Sequence, residues 1–253
     1  MFKAVTKNPK LLRDGIDIIS QLIDDGLFNV KKSGIELEAA DRTMVSFIDF
    51  KLKASSFDSY ECDKDTTIGI NLLNLLTVLK RADLNDKLTL SLSEKESILE
   101  VNLEGNSVRK FSIPLLQISK SETPDIEQLL KKFTADAEVS SAALEQGISD
   151  ADIIADSVII ELSPDKLRMF AEGNSSKSEL KIFKGTDTLT KLNAKETVNA
   201  RYSLDYLKKM IKGSKLSDKV QIMLGKDFPL RLVFENDNIF LGMVLAPRVS
   251  ESE

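Results

Sequence analysis

The chain repeats itself. Leu72-Leu73-Asn74-Leu75-Leu76-Thr77-Val78-Leu79-Lys80 is answered by Leu204-Asp205-Tyr206-Leu207-Lys208-Lys209-Met210-Ile211-Lys212. Leu84 to Leu88 is answered by Leu216 to Val220, and Ile35 to Ala39 by Leu167 to Ala171. Residues 72 and 204, 84 and 216, and 35 and 167 all stand 132 positions apart. Few identities survive, but the apolar pattern keeps step, and three segments in one register imply two copies of one fold joined head to tail.

Each copy carries the same order of signals. Leu12, Ile16, Ile19 and Ile23 recur every three or four residues, which predicts an amphipathic helix. Alternation over Gly34–Ala39 and Val45–Leu52 predicts strands. Leu72, Leu75, Leu76 and Leu79 predict a second helix over 72–82, and strands follow over Leu88–Leu92, Ile98–Leu103 and Val108–Ile113. Helix, strands, helix, strands, given twice, is an α+β architecture with largely antiparallel sheet. Gln117 to Phe133, with Pro124, breaks both periodicities. It is expected to connect an N-terminal domain, 1–116, to a C-terminal domain, 134–253. Ile118, Ile126 and Leu129 are expected to pin this connector to the domains, as a passive linker or as a lip over a partner site; composition favours the linker.

Missing residues narrow the chemistry. The chain has no histidine and a single cysteine, Cys62. That removes the commonest general base, a zinc site of the usual nitrogen and sulfur kind, and any intramolecular disulfide. No glycine-rich phosphate loop is present, so neither metal nor cofactor is expected. The 40 Asp and Glu read mostly as solvated surface, and no acidic pair stands out as a hydrolase would need. No secretory signal follows Met1, and the apolar run Ile68–Leu79 is too short to span a bilayer. A cytoplasmic location, or a nuclear one in a eukaryote, is expected, with no membrane partner.

A net charge of −5 argues against nucleic acid only if the charge is evenly spread. It is not. Lys208, Lys209, Lys212 and Lys215 crowd the second helix of the C-terminal half, and Lys80 and Arg81 occupy the same place in the N-terminal half. Lys208 and Lys212 are one turn apart, opposite Leu207 and Ile211. Such a face is either solvated surface or a stripe for duplex phosphates. Tyr206 is the lone aromatic there, so stacking on single-stranded bases is not expected. On the first helices Lys10 and Arg13 are offset by Asp14 and Asp17. The matching stretch, Val139 to Asp156, has Glu145, Asp150, Asp152 and Asp156 and no basic residue.

Three segments carry a resemblance. They are Gly34-Ile35-Glu36-Leu37-Glu38-Ala39-Ala40-Asp41-Arg42-Thr43-Met44-Val45-Ser46; Phe57-Asp58-Ser59-Tyr60-Glu61-Cys62-Asp63 followed by Gly69-Ile70-Asn71-Leu72; and Leu245-Ala246-Pro247-Arg248-Val249 before an acidic tail. In order and spacing the chain resembles the proliferating cell nuclear antigen family of DNA sliding clamps. The resemblance implies a ring of three subunits, with sheets outside and helices lining a central hole that encircles double-stranded DNA. The lining would be supplied by Lys10, Arg13, Lys80, Arg81, Lys208, Lys209, Lys212 and Lys215. It also implies a pocket that takes short hydrophobic and aromatic peptides of DNA polymerase, ligase, nuclease and clamp-loader proteins. The matching positions are Ala40, Met44, Val45, Ile126, Pro229, Val244, Ala246 and Pro247. Val244 stands where many relatives carry an aromatic side wall, which implies a shallower pocket. Subunits are expected to join strand Val108–Ile113 to strand Ser178–Phe183 of a neighbour, with Arg109, Lys110 and Phe111 facing Glu179 and Lys181.

The resulting expectation is a homotrimeric, non-enzymatic processivity factor of DNA replication and repair. One subunit of a heterotrimeric clamp, a scaffold that never encloses DNA, and a carboxylate-based hydrolase remain as alternatives.

Overall fold

The computed structural model describes residues 1–83, 85–93, 97–119 and 124–249. Leu84 of the repeat, connector residues 120–123 and the acidic end 250–253 lie outside the described residues. The chain divides into two units. Met1–Arg42, Ile48–Thr123 and Glu235–Leu241 form the first; Thr43–Phe47, Pro124–Phe234 and Gly242–Glu253 form the second.

The first unit runs β1 (Phe2–Thr6), α1 (Lys10–Ile19), β2 (Asp25–Lys31), β3 (Gly34–Ala40), β4 (Ser46–Lys53), β5 (Ser59–Cys62), β6 (Thr66–Asn71), α2 (Leu72–Leu79), β7 (Lys87–Ser93), β8 (Ile98–Glu104) and β9 (Val108–Pro114). Its strands lie as neighbours in two runs, β5-β1-β7-β8-β9 and β4-β3-β2-β6. Pairing is antiparallel, as where Ala4 faces Tyr60 and Phe28 faces Leu37. Strict alternation buries Leu99, Val101 and Leu103 of β8 and leaves Glu100 in solvent. Helices α1 and α2 pack side by side, burying Leu12, Ile16 and Ile19 from one and Leu72, Leu75, Leu76 and Leu79 from the other. Asn71 caps α2, its side-chain oxygen accepting the Asn74 N–H at 3.0 Å.

The second unit repeats this plan. After α3 (Ile126–Leu130) come β10 (Ala135–Ser140), α4 (Ser141–Asp152), β11 (Ser157–Leu162), β12 (Lys166–Glu172), β13 (Lys177–Phe183), β14 (Leu189–Ala194), β15 (Val198–Ser203), α5 (Leu204–Met210), β16 (Lys219–Leu224), β17 (Leu230–Glu235) and β18 (Ile239–Leu245), whose first residues, to Leu241, count with the first unit. The runs are β14-β10-β16-β17-β18 and β13-β12-β11-β15, the same two orders as in the first unit. Strands β3 and β12, and β6 and β15, stand 132 residues apart at both ends. Gly15 and Gly147 share that offset too. A Cβ on Gly15 would lie 3.0 Å from the Phe50 ring, and one on Gly147 would lie 2.6 Å from Met169 Sδ and 2.7 Å from Leu180. Each copy thus presses a bare helix backbone onto its sheet.

Several expected boundaries move. Helix α1 ends at Ile19, and Ile23 is buried beyond it. Helix α2 stops at Leu79, because the Arg81 and Ala82 N–H groups turn back to Val78 and Leu79. Lys80 and Arg81 therefore follow the helix. In the second unit the α-helix gives way after Met210 to a 3-10 segment, Ile211–Lys215. Lys212 and Lys215 ride on this tighter turn, where Gly213 lies directly against the Phe234 ring. Asp156 falls outside α4, bound to Arg248 at 2.8 Å, and leaves the acidic helix face shorter than the sequence implied.

Candidate functional site

At least four of the eight cations expected on the basic helix faces lie beside carboxylates. In the first unit Lys10 Nζ lies 3.5 Å from Asp14 and Arg13 Nε 3.3 Å from the same carboxylate. Lys80 reaches Asp17 at 3.2 Å, and Arg81 is exposed. In the second unit Lys208 Nζ bridges Asp152 at 2.9 Å and Asp205 at 3.4 Å. Hydrogen bonding to Asp152 is the main cause of a raised Lys208 pKa, with Asp205 adding to it. Lys209 and Lys215 are exposed and Lys212 is half-buried. Ser214 donates to Glu145 at 3.4 Å, tying the 3-10 segment to α4. A surface of this kind offers a duplex weak, screened attraction with nothing shaped to read a base.

Tyr206 does something other than offer a stacking face. Its hydroxyl lies 2.9 Å from Thr43 Oγ1, and Lys209 Nζ sits 5.5 Å from its ring centroid. Sequence reasoning missed Thr43, since no local signal places residue 43 beside residue 206.

The expected pocket residues divide between the units. Ala40 ends β3 in the first; all the others belong to the second. Met44 is 61% exposed and has φ of +57°, in the left-handed region that side chains with a Cβ rarely adopt. Val45 is half-buried and its carbonyl accepts the Ala246 N–H at 2.9 Å. Val244 is only 7% exposed, so it serves mainly as core. Ala246 and Pro247 are half-buried just after β18, and the following Arg248 N–H donates to the Arg201 carbonyl at 2.7 Å. Pro229 is half-buried ahead of β17, beside Phe228, whose carbonyl accepts the Tyr202 hydroxyl at 2.7 Å. Burial raises the Tyr202 pKa. Ile126 opens α3, half-buried.

The two expected assembly strands are the outermost members of their runs. β9 pairs with β8 and β13 with β12, and the two share one alternation of exposed and half-buried positions closed by a single buried isoleucine, Ile113 or Ile182. Val108 at one end of β9 is 65% exposed and Phe183 at one end of β13 is 54% exposed. Lys110 is exposed and Phe111 half-buried. Arg109 binds Asp83, Asp86 and the Arg81 carbonyl within its own unit. Glu179 is held by Lys181 at 2.7 Å and Arg168 at 2.6 Å, which lower its pKa in that order. Arg109 and Glu179 thus have partners inside the chain, whereas Lys110 is exposed.

Among the described residues no helix is long and apolar enough to cross a membrane, and no group of three or more Asp, Glu or Cys side chains is placed to hold a metal ion.

Comparison with known proteins matches the same duplicated plan. Residues 1–123 match the model of the proliferating cell nuclear antigen N-terminal domain, and residues 128–249 that of its C-terminal domain. The chain is 32% identical over 255 residues to a DNA polymerase sliding clamp of Methanothermobacter thermautotrophicus, covering all of both chains. It is 33% identical over 251 residues to one of Pyrococcus abyssi, covering 99% of each. A crystal structure of PCNA from Thermococcus kodakaraensis superposes with a TM-score of 0.88 at 28% identity, over 98% of this chain and all of that one.

Proposed function

This chain belongs to the proliferating cell nuclear antigen family of sliding clamps, and from that membership we propose a homotrimeric ring that encircles double-stranded DNA and tethers replication and repair enzymes to it. The observation that carries the ring is the pair of outermost strands, β9 and β13. They differ in sequence, match in their pattern of exposure and end on exposed apolar residues. A chain with two different complementary edges assembles head to tail, and such a contact closes into a ring when its rotation allows. Uncovered, each edge is a template for stray pairing.

The mechanism is linkage without bond making. An enzyme held on the ring meets its template as an intramolecular neighbour, at an effective concentration set by the tether. Retention comes from topology, and the partly neutralised lysine faces let the ring slide. Domains 1–116 and 134–253 are the clamp domains, and 117–133 is the connector that carries α3. Polymerase, ligase, nuclease and clamp-loader proteins dock short hydrophobic peptides on Met44, Val45, Pro229, Ala246 and Pro247, with Ile126 and Val244 at the margins. The protein acts wherever the chromosome is, in the cytoplasm of a cell without a nucleus.

Retention on circular against linear DNA across a salt series tests the proposal. Slow release from circles and fast release from linear ends is the expected result; equal release from both overturns encirclement. The solution mass of the purified single chain should be that of a trimer, and a monomer would point to a heterotrimer.

A further inference from the structure

We propose that Tyr206 is a positioning residue for the partner-peptide site, holding the 43–45 loop in the conformation that presents Met44. The proposal rests on the reading of Met44 and Val45 as partner contacts given above.

Met44 has φ of +57°. A side chain with a Cβ stays in that region only where its surroundings over-determine it. Here the loop is fixed on both sides of Met44. After it, the Val45 carbonyl accepts the Ala246 N–H at 2.9 Å. Before it, Thr43 Oγ1 lies 2.9 Å from the Tyr206 hydroxyl. The first anchor is backbone to backbone and survives most substitutions. The second depends on two side chains, one of them on α5. Between the anchors the Met44 side chain stands 61% exposed, a flexible thioether on a fixed backbone, which suits an apolar peptide anchor. A loop held ready in this way spares the incoming peptide the cost of ordering it. The Tyr206 ring is itself held, with Lys209 Nζ 5.5 Å from its centroid. Tyr206 thus joins the peptide loop to the basic face of α5.

The test is titration calorimetry on the full chain with a synthetic peptide bearing aliphatic and aromatic anchors. Tyr206→Phe deletes the hydroxyl and keeps the ring beneath Lys209. It should weaken the peptide about five-fold, as loss of one ordinary hydrogen bond does, with the solution mass unchanged. Thr43→Val should cost the same, and the double variant should cost no more than either alone, because both remove one bond. Thr43→Ser keeps a hydroxyl and should bind as the parent does. Met44→Glu tests the pocket separately and should abolish binding. Parental affinity in Tyr206→Phe beside lost binding in Met44→Glu overturns the positioning role and leaves the pocket standing. Parental affinity in Met44→Glu removes the pocket and the proposal with it. Additive losses in the double variant also overturn it, since the residues would then act separately. If Tyr206→Phe alters the solution mass, Thr43→Val, which leaves α5 intact, decides the question.

Discussion

Lys208 Nζ sits 2.9 Å from Asp152 Oδ1, so the basic face of α5 is tied to the acidic end of α4. One of the lysines that the sequence places on a candidate phosphate face already has a carboxylate beside it. Asp152→Asn combined with Asp205→Asn, which removes both of its carboxylate partners, should release it. DNA binding should then tighten, and its logarithmic salt dependence should steepen by about 0.9 for one added phosphate contact. Fluorescence anisotropy over a salt series measures both. An unchanged slope would mean that Lys208 does not reach the duplex. The converse variant, Lys208→Glu with Lys212→Glu, should shorten retention on circular DNA and leave the thermal midpoint nearly unmoved.

Assembly should fail at the strand ends rather than at the ion pairs. Phe183 is 54% exposed in the single chain, and burying that remainder against a neighbour would contribute about 1–1.5 kcal/mol. Phe183→Glu should convert the trimer to monomer at micromolar concentration, read by light scattering. Glu179→Gln should change the mass little, because Glu179 is already satisfied by Arg168 and Lys181. A Phe183→Glu protein that stays trimeric would refute the β9 to β13 joint.

A charge beside Met44 should act on partners alone. Val45 is half-buried, with its backbone tied to Ala246. Val45→Glu should therefore weaken a partner-derived peptide at least ten-fold, through lost apolar burial and a desolvated carboxylate. Trimer mass should persist. Calorimetry and light scattering on one sample check the two halves of this expectation.

Glu138 gives the second unit a dependence on acid. Hydrogen bonds from Lys191, Thr190 and Lys219, in that order, hold its carboxyl down to about 2. A depressed folded-state pKa contributes stability that is complete above the unfolded value near 4.5 and is lost as pH falls toward 2. Glu138→Gln should cost about 1 kcal/mol at neutral pH, given how little such open pairs contribute. The difference between parent and variant should shrink below about pH 4.5 and vanish near pH 2. Urea denaturation at several pH values follows it; a constant difference down to pH 2 would contradict the assignment.

Much of the fold was legible because it is written twice. Apolar residues at 72, 75, 76 and 79 and at 204, 207 and 211 face their cores, as the 3.6-residue period requires. Helix ends were less legible. Where α2 stops is decided by backbone groups turning back over 79–82, and where α5 tightens depends on Gly213 meeting Phe234. Neither follows from a window of sequence. The pocket positions came from family resemblance, because Val244 and Met44 look alike as apolar letters and differ only in exposure, 7% against 61%. Pairings that cross long stretches, such as Thr43 with Tyr206 and Lys80 with Asp17, leave no mark on the sequence near either partner.

Gly15 and Gly147 give the helix faces a mechanical character. With bare backbone pressed on Phe50 in one copy and on Met169 and Leu180 in the other, neither helix has a compressible layer beneath it, and a close-packed interior yields little. Whatever rolls or tilts against the outer faces of α1 and α4 meets a stiff shelf. The compliance has to come from above the shelf, from the stem of Lys10 on α1 and, since α4 carries no basic residue, from Lys208 reaching over from α5 to Asp152. A duplex sliding through the proposed ring would then be followed by side chains on the fast timescale of rotamer exchange, and the fold beneath would not have to deform at each step.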